Sequence, residues 1–250
     1  SEKFLKYLRY YGIDGFGLNS EFNFSESLNV KSKEFFRELF RKKNDIWPNF
    51  SNVWYAWMNN SGRTGCSLEL NSGNDDWFQW EGEQTSDYFF LNYGWNRNNL
   101  QNSQSNAEEL GRSSYDVYAG FNYEGGAPGK WGALKDSKIS VGLWGAHDMN
   151  LIFEDRGELG ADVRIKQKAY QLISENSFTG STYNPVNPPA IRDYLSHSSL
   201  ETDNHGISSF VTARSPLITD DLAKEPFVTY FNLGNGFFFN VKGEREFNGE

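Results

Sequence analysis

The chain reads as an α/β fold, on two observations. Short segments rich in β-branched and aromatic residues alternate with segments of helical character, and the strand-like segments number about five over 250 residues. Residues 2–10 read as the end of a helix and residues 12–19 as a strand. Residues 31–43 carry apolar residues at helical spacing and end in a basic turn, so they predict an amphipathic helix. Pro48 closes that segment before a strand at 52–58. Further strands are expected at 87–93, 116–122 and 139–144, with helices at 103–110 and 160–175. The stretch 179–190, holding Pro185, Pro188 and Pro189, predicts a loop. From residue 226 onward, alternation and Gly-x-Gly turns predict a β-hairpin or the start of a β module. No internal repeat or low-complexity tract interrupts the chain.

Composition narrows the function classes. The formal net charge is -9 and there is no long basic run, which argues against a nucleic-acid partner. A single cysteine, Cys66, rules out an intrachain disulfide framework and a Cys-rich zinc site. No apolar run approaches the ~18 residues of a membrane span, and the first residues hold no apolar signal-peptide core. Aromatic residues make up 17% of the chain, with 8 Trp, 13 Tyr and 21 Phe. Such rings fill cores, and they also stack on the C–H faces of sugars.

The segment DGFGLNSE at 14–21 holds the most informative pair. Read as a β-strand ending in a polar tip, the segment puts Asn19 and Glu21 on one face, because side chains alternate with period two. Their separation, about 7 Å along a strand, suits two groups flanking a sugar linkage. One of the two is an amide, which cannot attack an anomeric carbon. It can hold and polarise another nucleophile, such as the 2-acetamido group of the sugar itself. The other signals are weaker. His147, His197 and His205 form no ligand pattern. Asp75-Asp76 and Asp220-Asp221 lack metal-loop spacing, and Gly-x-Gly at 234–236 does not open a nucleotide-binding helix.

DGFGLNSE resembles the catalytic segment of the family 85 glycoside hydrolases, the endo-β-N-acetylglucosaminidases. Four more segments resemble that family in the same order: VWYAWM at 53–58, FLNYGW at 90–95, LGRSSYDVYAGFNYE at 110–124 and PFVTYFNLGNG at 226–236. The resemblance implies a (β/α)8 TIM barrel of which this chain covers approximately strands four to eight. Residues 1–225 would be the partial barrel and 226–250 the start of a β-rich, sandwich-like module. It implies cleavage of GlcNAcβ1-4GlcNAc in the N-glycan chitobiose core by a retaining, substrate-assisted route through an oxazoline, with transglycosylation as a side reaction. No cofactor and no metal are implied.

By the same resemblance Glu21 is the general acid and then base, a role that needs burial or an anionic neighbour to keep the acid protonated. Asn19 orients the acetamide, and Tyr55 hydrogen-bonds beside it. Asn92, Trp95, Glu124 and Trp144 are candidate sugar contacts. His147 is a further candidate at the rim. The chain departs from the family pattern at Gly17, Ala56, Trp57, Gly94 and Asn122, which leaves the pair intact but puts glycan preference in doubt and keeps a non-catalytic glycan-binding protein, or an inactive fragment, as the alternative. The expected partners are N-linked glycans or glycoproteins and the N-terminal remainder of the barrel. A glycoprotein substrate leads us to expect an extracellular, cell-surface or periplasmic location.

Overall fold

The computed structural model describes residues 1–65, 67–122, 131–134, 137–145, 238–241 and 244–248. The chain divides into two compact units, residues 1–122 with 130–144, and residues 123–129 with 145–250.

The first unit is built on a five-stranded sheet. Its strands are β1 (Gly15–Leu18), β2 (Ser51–Tyr55), β5 (Tyr88–Phe90), β6 (Val117–Asn122) and β7 (Ser140–Trp144). All neighbouring pairs are parallel, in the order β1-β2-β5-β6-β7. The remaining helices and strands of this unit are α1 (Glu2–Tyr10), α2 (Glu26–Ile46), the hairpin β3 (Gln79–Trp80) and β4 (Glu83–Gln84), α3 (Arg97–Glu109) and the short α4 (Trp131–Leu134). Parallel neighbours need a crossover, and α2 and α3 supply two of them. Each of the five expected strands is present, in shorter form. The strand expected at 52–58 stops at Tyr55 because the chain turns there: Trp57 N–H donates to Tyr55 O at 2.7 Å, and Ser67 N–H takes Ala56 O at 2.9 Å.

Local chemistry sets the helix ends. Ser25 Oγ accepts from Leu28 N–H at 3.3 Å and starts α2 five residues before the expected 31 would allow, at Glu26. Asn96 and Asn99 form a reciprocal capping box that starts α3 at Arg97. The hairpin turns through Glu81 and Gly82, both in the left-handed region with φ of 52° and 81°, as a two-residue loop demands. It was not expected from the sequence, because glutamate is an unusual residue for that turn. Arg37 and Arg41 of α2 pair with Glu81 and Glu83 and tie the hairpin to the helix.

Burial alternates along β2: Asn52 and Trp54 are buried, while Ser51, Val53 and Tyr55 are half-buried. Trp54 stacks on Trp77 with centroids 4.0 Å apart. Leu5 and Leu8 of α1 meet Leu39 of α2 and Phe50 in a fully packed cluster that Phe16 joins. On the other face, glycine replaces side chains under one ring. A Cβ on Gly142 would stand 2.2 Å from the Phe90 ring, and one on Gly120 2.6 Å from it. Phe90 lies across β6 and β7 because those two positions are bare.

In the second unit the described residues form an antiparallel hairpin, β8 (Phe238–Val241) with β9 (Glu244–Asn248), irregular at Phe239/Asn240. A β-hairpin past residue 226 agrees with expectation. The helix expected at 160–175, the loop at 179–190, the Gly-x-Gly at 234–236, Asp220-Asp221, Cys66 and the three histidines lie outside the described residues.

Candidate active site

A cavity of about 330 Å³ opens on the first unit, lined by Gly17, Leu18, Asn19, Glu21, Val53, Tyr55, Phe90, Tyr93 and Trp144. These residues come from the ends of β1, β2, β5 and β7 and from the segments just after them. The two outer strands among the described residues, β1 and β7, therefore share one cavity, so the sheet curls. The cavity lies at the C-terminal ends of the strands, where α/β barrels and open α/β sheets hold their ligands.

Asn19 and Glu21 stand just past β1, both exposed, with Ser20 buried between them. The period-two expectation thus holds beyond the strand end. Asn19 Nδ2 donates to Glu21 Oε1 at 2.9 Å, so the two side chains meet directly. Glu21 is the one carboxylate among the described lining residues, and the others are aromatic, aliphatic, amide or glycine. A second carboxylate at nucleophile distance would have marked a different glycosidase chemistry. The chain itself leaves Glu21 exposed, so the burial that an acid role calls for has to come from elsewhere.

Tyr55 ends β2 with its ring among Trp57, Phe90 and Tyr93 at centroid distances of 6.1, 6.0 and 6.2 Å. Trp57 lies parallel to it, at an interplanar angle of 5°. Asn92 Nδ2 donates to the Tyr55 hydroxyl at 2.6 Å. Asn92 does not itself line the cavity; it reaches the site through Tyr55. Its backbone N–H donates to Ser67 O at 3.2 Å, in the long connection between β2 and β3.

That connection is held by an amide network. Asn74 Nδ2 donates to Ser67 Oγ and to Glu69 O at 2.7 and 2.9 Å. Burial raises the pKa of the Glu69 carboxyl, but donors from Asn99, Asn102 and Asn71 outweigh it and leave the group below its ordinary range. Asp75 accepts from Asn60 Nδ2 at 2.8 Å and Asp76 pairs with the buried Lys33. Both are structural. Among the described residues no cluster of His, Cys, Asp or Glu could hold a metal ion.

Of the expected site residues, Asn19, Glu21, Tyr55 and Trp144 share the cavity, and Trp144 is 47% exposed. Trp95 is a correction. It was expected to stack on sugar, but it is fully buried, its indole N–H donates to Gly120 O at 2.7 Å, and its ring packs edge-on to Phe121. It supports β6 and offers no ring face to a ligand. Glu124 and His147 lie outside the described residues. Phe90, Tyr93 and Val53 were missed as lining residues. The signal available for Val53 and Phe90 was strand parity, since they fall on the Tyr55 face of their strands.

No helix among the described residues is long and apolar enough to cross a membrane. Over residues 2–239 the chain matches the family model described as glycosyl hydrolase family 85. It is 30% identical over 111 residues to a cytosolic endo-beta-N-acetylglucosaminidase of Danio rerio, a stretch that covers 44% of this chain and 15% of that protein. Among solved structures it is similar to the Endo-D glycoside hydrolase domain from Streptococcus pneumoniae R6, at 25% identity and a TM-score of 0.54, over 72% of this chain and 28% of that one. The chain thus spans less than a third of the length of either relative. The zebrafish protein also overturns the expected extracellular, cell-surface or periplasmic location, since that relative is by name cytosolic; a glycoprotein substrate does not fix the compartment. With five matching segments in order, a curled parallel sheet and a match over residues 2–239, the chain belongs to glycosyl hydrolase family 85.

Proposed function

We propose that this chain carries the catalytic site of an endo-β-N-acetylglucosaminidase that hydrolyses the GlcNAcβ1-4GlcNAc bond of the N-glycan chitobiose core. The observation that carries the reading is the Asn19–Glu21 pair, 2.9 Å apart in one cavity with Tyr55. In the proposed reaction the acetamido carbonyl oxygen attacks C1 while the C1–O bond to the leaving sugar breaks. The leaving oxygen takes the Glu21 proton. Asn19, its amide N–H on Glu21, turns its carbonyl oxygen to the acetamide N–H and stabilises the charge that develops on the oxazoline ring. Water then adds to C1, its proton goes to the Glu21 carboxylate, and the acetamide re-forms with net retention. An alcohol in place of water gives transglycosylation.

The aromatic wall formed by Tyr55, Phe90, Tyr93 and Trp144 supports a sugar ligand, and among the described lining residues Glu21 has no second carboxylate beside it, which is consistent with assistance by the substrate. A glycan laid over the exposed carboxyl would exclude water from it. On this reading the sheet is strands four to eight of a (β/α)8 barrel, residues 1–225 are its C-terminal part and residues 226–250 begin a β-rich module. The N-terminal remainder of the barrel is the partner that closes the sheet, and Glu124 contacts the glycan.

Incubation with an N-glycopeptide, followed by mass spectrometry, tests this. The wild-type protein, supplied with the rest of the barrel, should leave a single GlcNAc on the asparagine. Glu21→Gln should lower turnover by about 10²–10⁴-fold. Asn19→Ala should lose hydrolysis of the glycopeptide yet still transfer sugar from a preformed oxazoline. Wild-type rates in either variant overturn the assigned roles, and glycan binding without any turnover selects the non-catalytic alternative.

A further inference from the structure

We infer that Asn92 is a positioning residue that orients the Tyr55 hydroxyl as a hydrogen-bond donor to the substrate; this rests on the endoglycosidase reading of the same site. Asn92 does not line the cavity, whereas Tyr55 does. The bond between them has a polarity: Asn92 Nδ2 donates and the Tyr55 oxygen accepts, at 2.6 Å. One lone pair of the phenol is therefore used by Asn92, and the O–H bond must point away from Asn92. A hydroxyl that accepts a hydrogen bond is also a better donor, because the two bonds polarise one another.

Packing limits the movement of the ring. Trp57, Phe90 and Tyr93 surround it at about 6 Å. Asn92 is fixed in turn by a closed circuit of backbone bonds. Ala56 N–H donates to Phe90 O, Ser67 N–H to Ala56 O, and Asn92 N–H to Ser67 O. The residue after Tyr55 and the residue that holds its hydroxyl are thus bonded through Ser67. An oxygen gaining or losing charge in the cavity, such as that of an acetamide, meets a hydroxyl whose accepting side Asn92 already holds.

A double-mutant cycle on the glycopeptide tests this. Asn92→Ala should lower kcat about tenfold with little change in KM. Tyr55→Phe should lower it similarly, and the double variant no further than Tyr55→Phe alone. Asn92→Asp keeps the shape but inverts the bond: an ionised carboxylate accepts a hydrogen bond from the Tyr55 O–H and turns that O–H away from the substrate. It should be worse than Asn92→Ala at neutral pH and recover relative to it as the pH falls towards about 4. A merely structural asparagine would give neither the coupling nor that profile. Additive losses, or a loss confined to KM that persists in the Tyr55→Phe background, overturn the inference and make Asn92 a direct sugar contact. If the wild-type protein turns nothing over, the endoglycosidase reading fails by itself. The same cycle is then read on the affinity for N,N′-diacetylchitobiose, where coupling supports the orientation of Tyr55 and additivity, or no binding at all, overturns it.

Discussion

Asn19 and Glu21 bring one amide and one carboxyl together at 2.9 Å just beyond a four-residue strand, and the proposed site is built on that pair. Other residues in the matching segments serve the frame rather than the cavity. Arg112, within LGRSSYDVYAGFNYE, is buried over the Phe78 ring at 3.9 Å. It donates to the carbonyls of Phe78, Ser86 and Asp87 at 2.9–3.2 Å and to Asp116. Burial pulls its guanidinium pKa down, and Asp116 and Asp87 oppose that pull. Lysine has a point charge and no planar fork, so Arg112→Lys should orphan at least one buried carbonyl. The expected cost is about 2–4 kcal/mol in denaturant unfolding. A change within about 0.5 kcal/mol would mean that these carbonyls find other partners.

At the scale of elements, the β2–β3 connection is the part that ordinary α/β regularity does not supply. It is held to α3 by Glu69, whose Oε2 accepts from Asn99 and Asn102 at 2.8 and 3.0 Å. Its pKa in the folded chain lies below the ordinary 4.5. The folded state therefore binds fewer protons there than the unfolded one, and the stabilisation is present above about pH 4.5 and is lost as the pH falls through the lowered folded value. Thermal melts from pH 7 downward should show a drop in Tm below that point, and Glu69→Gln should have a lower Tm at neutral pH and a shallower drop. Parallel curves for the two proteins would remove Glu69 from the acid response. Because Ser67, two residues away, accepts from Asn92 N–H, loosening this connection is also expected to reach Tyr55.

At the scale of the molecule, β1 and β7 each pair on one side only among the described residues, while residues of both line one cavity. An unpaired parallel edge offers a row of N–H and C=O groups to any strand that can reach it. If the sheet is part of a barrel as proposed, the 250 residues expressed by themselves should self-associate in light scattering, and co-expression with the proposed N-terminal remainder should give a discrete complex instead. A monomer at every concentration tested would mean that the sheet edges are already covered.

The sequence by itself determined the α/β class, five strands to within a few residues, and the placement of Asn19 and Glu21 on one side; the parallel pairing and the direct contact between those two side chains came from the structure. Those features follow from local periodicity and from a two-residue offset that any extended tip reproduces. Trp95 and Tyr55 look alike in that light, since each is an aromatic residue near a strand end. Only the tertiary structure decided that Trp95 turns inward to Gly120 O while Tyr55 faces the cavity with Asn92 on its hydroxyl. The same holds for the Glu81-Gly82 hairpin and for Phe90 lying over Gly120 and Gly142. Which face a ring takes, and which carbonyl its polar atom finds, depends on neighbours 25 to 52 residues away along the chain, and no local pattern encodes that distance.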